Sequence, residues 1–132
     1  GANSNRKAER HEELKSRLKD RYYCLNAREI ENLLKENIII STIKSYDKTD
    51  CSAINFSKII QSKYEKKLLG KYIDENVAGL SRRYSAKSGT INDKVEFAKT
   101  AVSYMENYDD LSDEAKLLTE KIYNFIQINN PK

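Results

Sequence analysis

The chain has 132 residues, 39% apolar and 33% charged, with a formal net charge of +4. That length suits one domain able to bury roughly two thirds of its unfolded surface, so a core needs no disulfide or structural metal, and the composition excludes a disordered polymer. No apolar run approaches the roughly 18 residues of a membrane span and none has the form of a secretory leader, so a cytoplasmic protein with no membrane partner is expected.

Gly1 and Ala2 look like a vector-derived remnant, and residues 1–4 are expected to be disordered. With the initiator Met missing, the chain reads as a fragment excised from a longer protein. Residues 5–132 are expected to form a single helical domain. Residues 5–19 read as a charged helix with only Leu14 and Leu18 on its apolar side, so the segment 5–25 should attach loosely. "RYYCL", residues 21–25, has a strand's composition, and it either joins a sheet supplied elsewhere or continues a helix. Asn26 is a favourable N-cap with Glu29 three residues on, and Ile30, Leu33 and Leu34 follow at helical spacing. The run "NIIISTI", residues 37–43, is too short for its period to separate a strand from a helix end. A loop follows at 44–52.

From Phe56 an apolar stripe recurs at four-residue steps through Ile60, Tyr64, Leu68 and Tyr72, continuing to Ile73, Val77 and Leu80. Gly70 interrupts it, which predicts two helices or one kinked helix. Residues 85–90 form a loop ending in Thr90, a plausible N-cap. Ile91, Val95, Ala98, Val102 and Met105 then trace a helical seam. Ser112 caps a last helix whose face is Ala115, Leu118, Ile122, Phe125 and Ile126, and the short connection predicts an antiparallel hairpin. The fold class is therefore mainly α, a small helical bundle with room for one short strand near 21–25.

Catalytic signatures are missing. Glycine stands only at positions 1, 70, 79 and 89, so there is no phosphate-cradling loop, and no G-x-S-x-G elbow occurs. The one histidine, His11, has no second histidine at metal spacing, and Cys24 and Cys51 read as two free thiols. No enzyme activity, cofactor or metal is expected of this chain by itself. Charge is the informative bulk feature. Residues 56–87 hold eight Lys/Arg against three Asp/Glu, whereas residues 88–132 carry a net charge of −3. Lys63, Lys66, Lys67 and Lys71, joined by Arg82, Arg83 and Lys87 in "SRRYSAKSG", are candidates for contacting the phosphates of DNA or RNA, with tyrosine rings stacking on bases. The alternative is a solvated face whose Tyr64 and Tyr72 belong to the core.

The cluster Arg28, Glu29, Glu31 and Asn32 is mostly explained by helix initiation, with Glu31 able to pair with Arg28 or Lys35. Asn32 is left without a role. The order of a charged helix, a short apolar strand and "LNAREIENLL" resembles the segment closing the TOPRIM region in OLD-family ATPase-nucleases and related ABC-type ATPases of bacterial phage defence. "KVEFAKTAV" and "LSDEAKLLTEKIYNFIQINN" are similar in style to the helical tails of such proteins. The resemblance covers about half the chain, and Leu33 departs from it where an aromatic is common. It implies a parent protein that uses ATP and Mg²⁺, whose ATPase head and acidic Asp-x-Asp pair precede residue 1. Glu29, Glu31 and Asn32 would lie near its nuclease site, with Glu31 supporting the metal. Two functions are thus expected as alternatives: a non-catalytic C-terminal domain that binds nucleic acid or joins subunits, and a stand-alone helical adaptor that binds proteins or itself.

Overall fold

The computed structural model describes residues 2–19, 22–47 and 51–129, and within them the chain is mainly helical. Six α-helices follow one another: α1 (Ala2–Leu18), α2 (Glu36–Tyr46), α3 (Gln61–Tyr64), α4 (Leu69–Asn76), α5 (Lys94–Ser103) and α6 (Asp113–Asn129). No sheet forms among the described residues; antiparallel pairing is limited to the isolated bridges Leu34–Leu111, Asn55–Ala78 and Ser85–Ile91. Residues Leu25–Lys121 make one compact unit, and the chain up to Cys24 together with the chain from Ile122 makes another.

In the smaller unit, α1 already includes residues 2–4, while Gly1 lies outside the described residues. The helix is charged on most sides, with an Arg17–Glu13 ion pair at 3.0 Å, an exposed Leu14 and a half-buried Leu18. His11 Nδ1 shares a hydrogen bond with the Tyr22 hydroxyl, and the two rings meet edge to face. Residues 22–25 are irregular and Arg21 lies outside the described residues, so the strand-like composition does not form a strand among the described residues. From Ile122 onward α6 exposes all its apolar side chains, Ile128 most of all.

In the larger unit the isoleucine run resolves as helix. Ile38, Ile39, Thr42 and Ile43 are all buried, and a helix is the way to aim residues one, four and five apart at the same core. Around Ile39 and Ile43 gather Ile54, Ile59, Tyr64, Leu69, Ile73, Val77, Tyr84, Ile91 and Phe97. Of the loop expected at 44–52, residues 44–46 belong to α2, residues 48–50 lie outside the described residues, and Cys51–Ala53 form a 3-10 turn.

Three expectations need correction, each for a physical reason. No α-helix starts at Asn26. Residues 26–29 bend, and a single 3-10 turn, Ile30–Leu33, follows with Glu29 as its cap. The polar groups of this segment are satisfied at long range: Arg28 N–H donates to Glu65 O at 2.9 Å, and the Asn32 amide donates to Tyr64 O at 2.7 Å and Lys67 O at 2.9 Å. Those contacts also divide the 56–80 stripe, because the carbonyls that would continue α3 are engaged by residues 28 and 32. The break falls at 65–68 rather than at Gly70, which sits inside α4 because a Cβ there would lie 2.5 Å from the Thr90 carbonyl oxygen.

The third correction concerns the helix seam. Helix α5 begins after Asp93, not Thr90; Asp93 stands at φ 52° and its side chain accepts from Glu96 N–H. The face it buries carries Phe97 (3% exposed) and Ala101 (0%), whereas Val95 and Val102 remain 68% and 61% exposed. Tyr46 of α2 stacks on Phe97 with centroids 6.3 Å apart. Both faces of α5 are apolar, and the one with the phenyl ring offers more area to α2. Ser112 does cap α6, accepting from Ala115 N–H, but no described residue of α6 is buried. Ala115 and Leu118 are half-buried, while Ile122, Phe125 and Ile126 are exposed.

Candidate nucleic-acid interface

Two aspartates shape the loop between α4 and α5. Asp47, buried at the C-terminal end of α2, accepts from the Ser81 N–H at 2.9 Å and from its hydroxyl at 2.6 Å. Asp74 of α4 accepts from Tyr84 N–H at 2.7 Å and Ser85 N–H at 2.9 Å. Carboxylate oxygens that take backbone N–H groups act as charge-assisted anchors, so residues 81–85 are fixed at both ends. The loop then doubles back through Ala86 N–H to Thr90 O at 2.8 Å, and Lys71 N–H donates to Gly89 O at 2.8 Å.

This scaffold presents two arginines in different ways. The Arg82 guanidinium lies over the rings of Tyr46 and Tyr84, 5.1 and 5.2 Å from their centroids, and among the described residues it makes no ion pair. Arg83 Nε donates to Ser85 Oγ at 3.0 Å and lies 3.7 Å from Asp74 Oδ2, with its side chain otherwise in solvent. Neither arginine forms an ion pair with the acidic 88–132 stretch among the described residues, although Arg82 shares a small hollow with Asp93 and Glu96 of that stretch. Both line a shallow groove of about 760 Å³, together with Lys71 and Lys87 and with the carboxylates Asp74 and Glu75. Lys71 and Glu75 pair at 3.8 Å, both well exposed, so that pairing is weak. Four cations against two carboxylates leave the groove positive.

Lys63, Lys66 and Lys67 are exposed but do not line this groove; they belong to α3 and the turn after it. Tyr64 and Tyr72 are structural. Tyr64 is fully buried with its hydroxyl donating to Leu34 O, and burial raises its pKa above the ordinary tyrosine value. The Tyr72 hydroxyl donates to Lys58 O at 2.7 Å and its ring meets Tyr64 edge-on. The aromatics beside the arginines are instead Tyr46 and Tyr84. Sequence reasoning missed Tyr46, Asp47 and Asp74; a buried-loop anchor carries no local signal, and only the tyrosine flanking the arginines was in view.

Glu29 and Glu31 form a separate cluster with Lys94. The ammonium lies 3.3 Å from Glu29 Oε1 and 3.1 Å from Glu31 Oε1. Burial, then a hydrogen bond to Glu31, raises the Glu29 carboxyl above its ordinary value. Burial pushes Glu31 upward too, but backbone and Glu29 hydrogen bonds and Lys94 outweigh it and hold Glu31 low. The hydrogen bond that Lys94 donates to Glu31, ahead of opposing burial, raises Lys94. As it stands the cluster does not fit a divalent ion: the ammonium already supplies the positive charge, and among the described residues no group of three His, Cys, Asp or Glu side chains comes together. Asn32 points elsewhere, into the 64–67 turn.

No family model matches the chain, and the comparisons with curated proteins and solved structures found no match.

No described helix is long and apolar enough to cross a membrane. Chemically, the groove presents cationic side chains on a loop whose backbone is held in place, a setting in which they can contact anionic groups such as phosphates.

Proposed function

We propose that this chain is a non-catalytic helical module that binds DNA or RNA through the groove lined by Lys71, Arg82, Arg83 and Lys87. The supporting observation is that the arginines are carried on a loop fastened by Asp47 and Asp74, so little ordering entropy opposes phosphate contact. Binding of this kind is electrostatic: affinity is modest and falls linearly on a logarithmic salt scale as condensed counterions are released. A filter-binding titration with labelled DNA at low salt tests it. Retention is expected for the wild-type chain and strong loss for the Arg82→Glu/Arg83→Glu pair, with matching thermal melts. No retention at low salt would sink the reading.

The resemblance of residues 5–34 supports placing the module at the C-terminal end of a cytoplasmic ATPase-nuclease of the OLD type. In that setting ATP and Mg²⁺ are handled by the parent protein's own domains, and Glu29 and Glu31 approach its nuclease site. A second reading, an adaptor that binds protein or a second copy, is favoured by the exposed Val95 and Val102 on α5 and Ile122, Phe125 and Ile126 on α6. It predicts a mass in light scattering that rises with concentration, and indifference to nucleic acid.

A further inference from the structure

Arg82 lines two hollows at once. On one side is the cationic groove; on the other is a smaller hollow of about 240 Å³ walled by Tyr46, Tyr84, Phe97, Asn92, Asp93 and Glu96. We propose that this pair of hollows takes single-stranded rather than duplex nucleic acid, with an unpaired, amino-bearing base seated beside Arg82 and its phosphates in the groove. The inference rests on the nucleic-acid reading above and adds to it the form of the strand and the class of base.

The two hollows differ in polarity, and that difference assigns their contents. In the groove, cations outnumber carboxylates; in the smaller hollow, Asp93 and Glu96 face one arginine. A phosphate is repelled from the second and drawn to the first. A hollow of this size is below the roughly 300–1,000 Å³ of a drug-sized ligand and suits one flat ring system. Its carboxylates only accept hydrogen bonds, so they favour the exocyclic amino groups of adenine, cytosine and guanine over thymine or uracil, whose single ring N3–H is flanked by two carbonyl oxygens that a carboxylate repels. Among the described residues Glu96 makes no ion pair, leaving its carboxylate for such a contact.

Arg82 supplies the platform. A guanidinium plane stacks well on a base, and this one is already held over two tyrosine rings, so its orientation costs little further entropy on binding. The rings are themselves fixed: the Tyr46 hydroxyl shares a hydrogen bond with Thr100 Oγ1 at 2.7 Å, and the Tyr84 hydroxyl donates to Ile43 O at 3.2 Å. Duplex nucleic acid cannot use this arrangement, because its base faces are stacked and its Watson–Crick edges paired. It would contact the groove alone.

The test is fluorescence anisotropy of the full chain with labelled oligo(dA), oligo(dC) and oligo(dT) and with a duplex of the same length, at low salt. One stacked base predicts that the single strands bind about tenfold more tightly than the duplex, and the carboxylates set oligo(dA) and oligo(dC) above oligo(dT). Arg82→Lys keeps the charge but removes the plane, so it should erase the preference for single strands over the duplex. Glu96→Ala, at an exposed position, should lower oligo(dA) and oligo(dC) toward the level of oligo(dT). Equal affinity for all four ligands overturns this inference and leaves the groove reading intact, as does an Arg82→Lys chain that keeps the preference. An unchanged oligo(dT) discrimination in Glu96→Ala overturns the assignment of the base. Binding to none of the four overturns both proposals together.

Discussion

The side-chain amide of Asn32 donates to the main-chain carbonyl of Tyr64 at 2.7 Å, across 32 positions of sequence. A second bond to Lys67 O, and the Glu29 N–H received by Asn32 Oδ1 at 2.9 Å, tie the 29–33 turn to the break between α3 and α4. Asn32 is fully buried. Asn32→Ala removes these bonds and leaves buried acceptors short of donors, which predicts a loss of about 2–4 kcal/mol. Asn32→Asp is expected to cost at least as much, because a carboxylate cannot donate to those carbonyls. Urea denaturation of both variants measures the effect, and a shift below about 0.5 kcal/mol in Asn32→Ala contradicts this role.

Phe97 and Val102 provide a matched comparison on one helix. Phe97→Ala empties a buried site against Tyr46 and is predicted to cost about 3–5 kcal/mol. Val102→Ala, at an exposed position, is predicted to stay within about 0.5 kcal/mol. If the two losses come out in the reverse order, α5 packs through the other face.

Gly70→Ala inverts the usual rule for helices. An alanine inside a helix is ordinarily better than glycine by about 1 kcal/mol. Here the new Cβ would lie 2.5 Å from the Thr90 oxygen and 2.9 Å from the Ser85 Cα, both backbone atoms that cannot swing aside. The expected outcome is a net loss of about 1–3 kcal/mol with a lower melting temperature. A gain in stability would mean that Thr90 does not pack on α4.

Lys94→Met tests the acidic pair, and the sign follows from proton linkage. Without the ammonium, Glu29 and Glu31 repel one another and both carboxyls rise. An acid whose folded value is raised takes up protons on folding, so the variant gains stability as pH falls through the carboxylate range. The predicted loss is about 1–2 kcal/mol at pH 7, moderated because Lys94 is half exposed, and it shrinks by pH 5. In the wild-type chain Lys94 is raised, so its own contribution is complete below the ordinary lysine value and disappears as pH climbs through the raised one. Paired denaturation curves at the two pH values check the sign; a loss that grows on acidification contradicts it.

The sequence by itself determined the helical class and the distribution of charge. Proline is confined to position 131, Ser112 is a cap that needs only its own neighbours, and the cations between 56 and 87 are visible as a count. What the tertiary structure decided is where helices stop and which faces they bury. A four-residue period is local, so it runs uninterrupted through 65–68, where bonds from Arg28 and Asn32 stop the helix. The same period allows α5 two apolar faces, and only the surface of α2 selects Phe97 over Val95. Likewise the tyrosines on the stripe became core, while Tyr46 and Tyr84, on different elements, both came to lie beside Arg82. Propensity and capping act over a few residues, but burial and long-range hydrogen bonds depend on partners that exist only once the chain has closed.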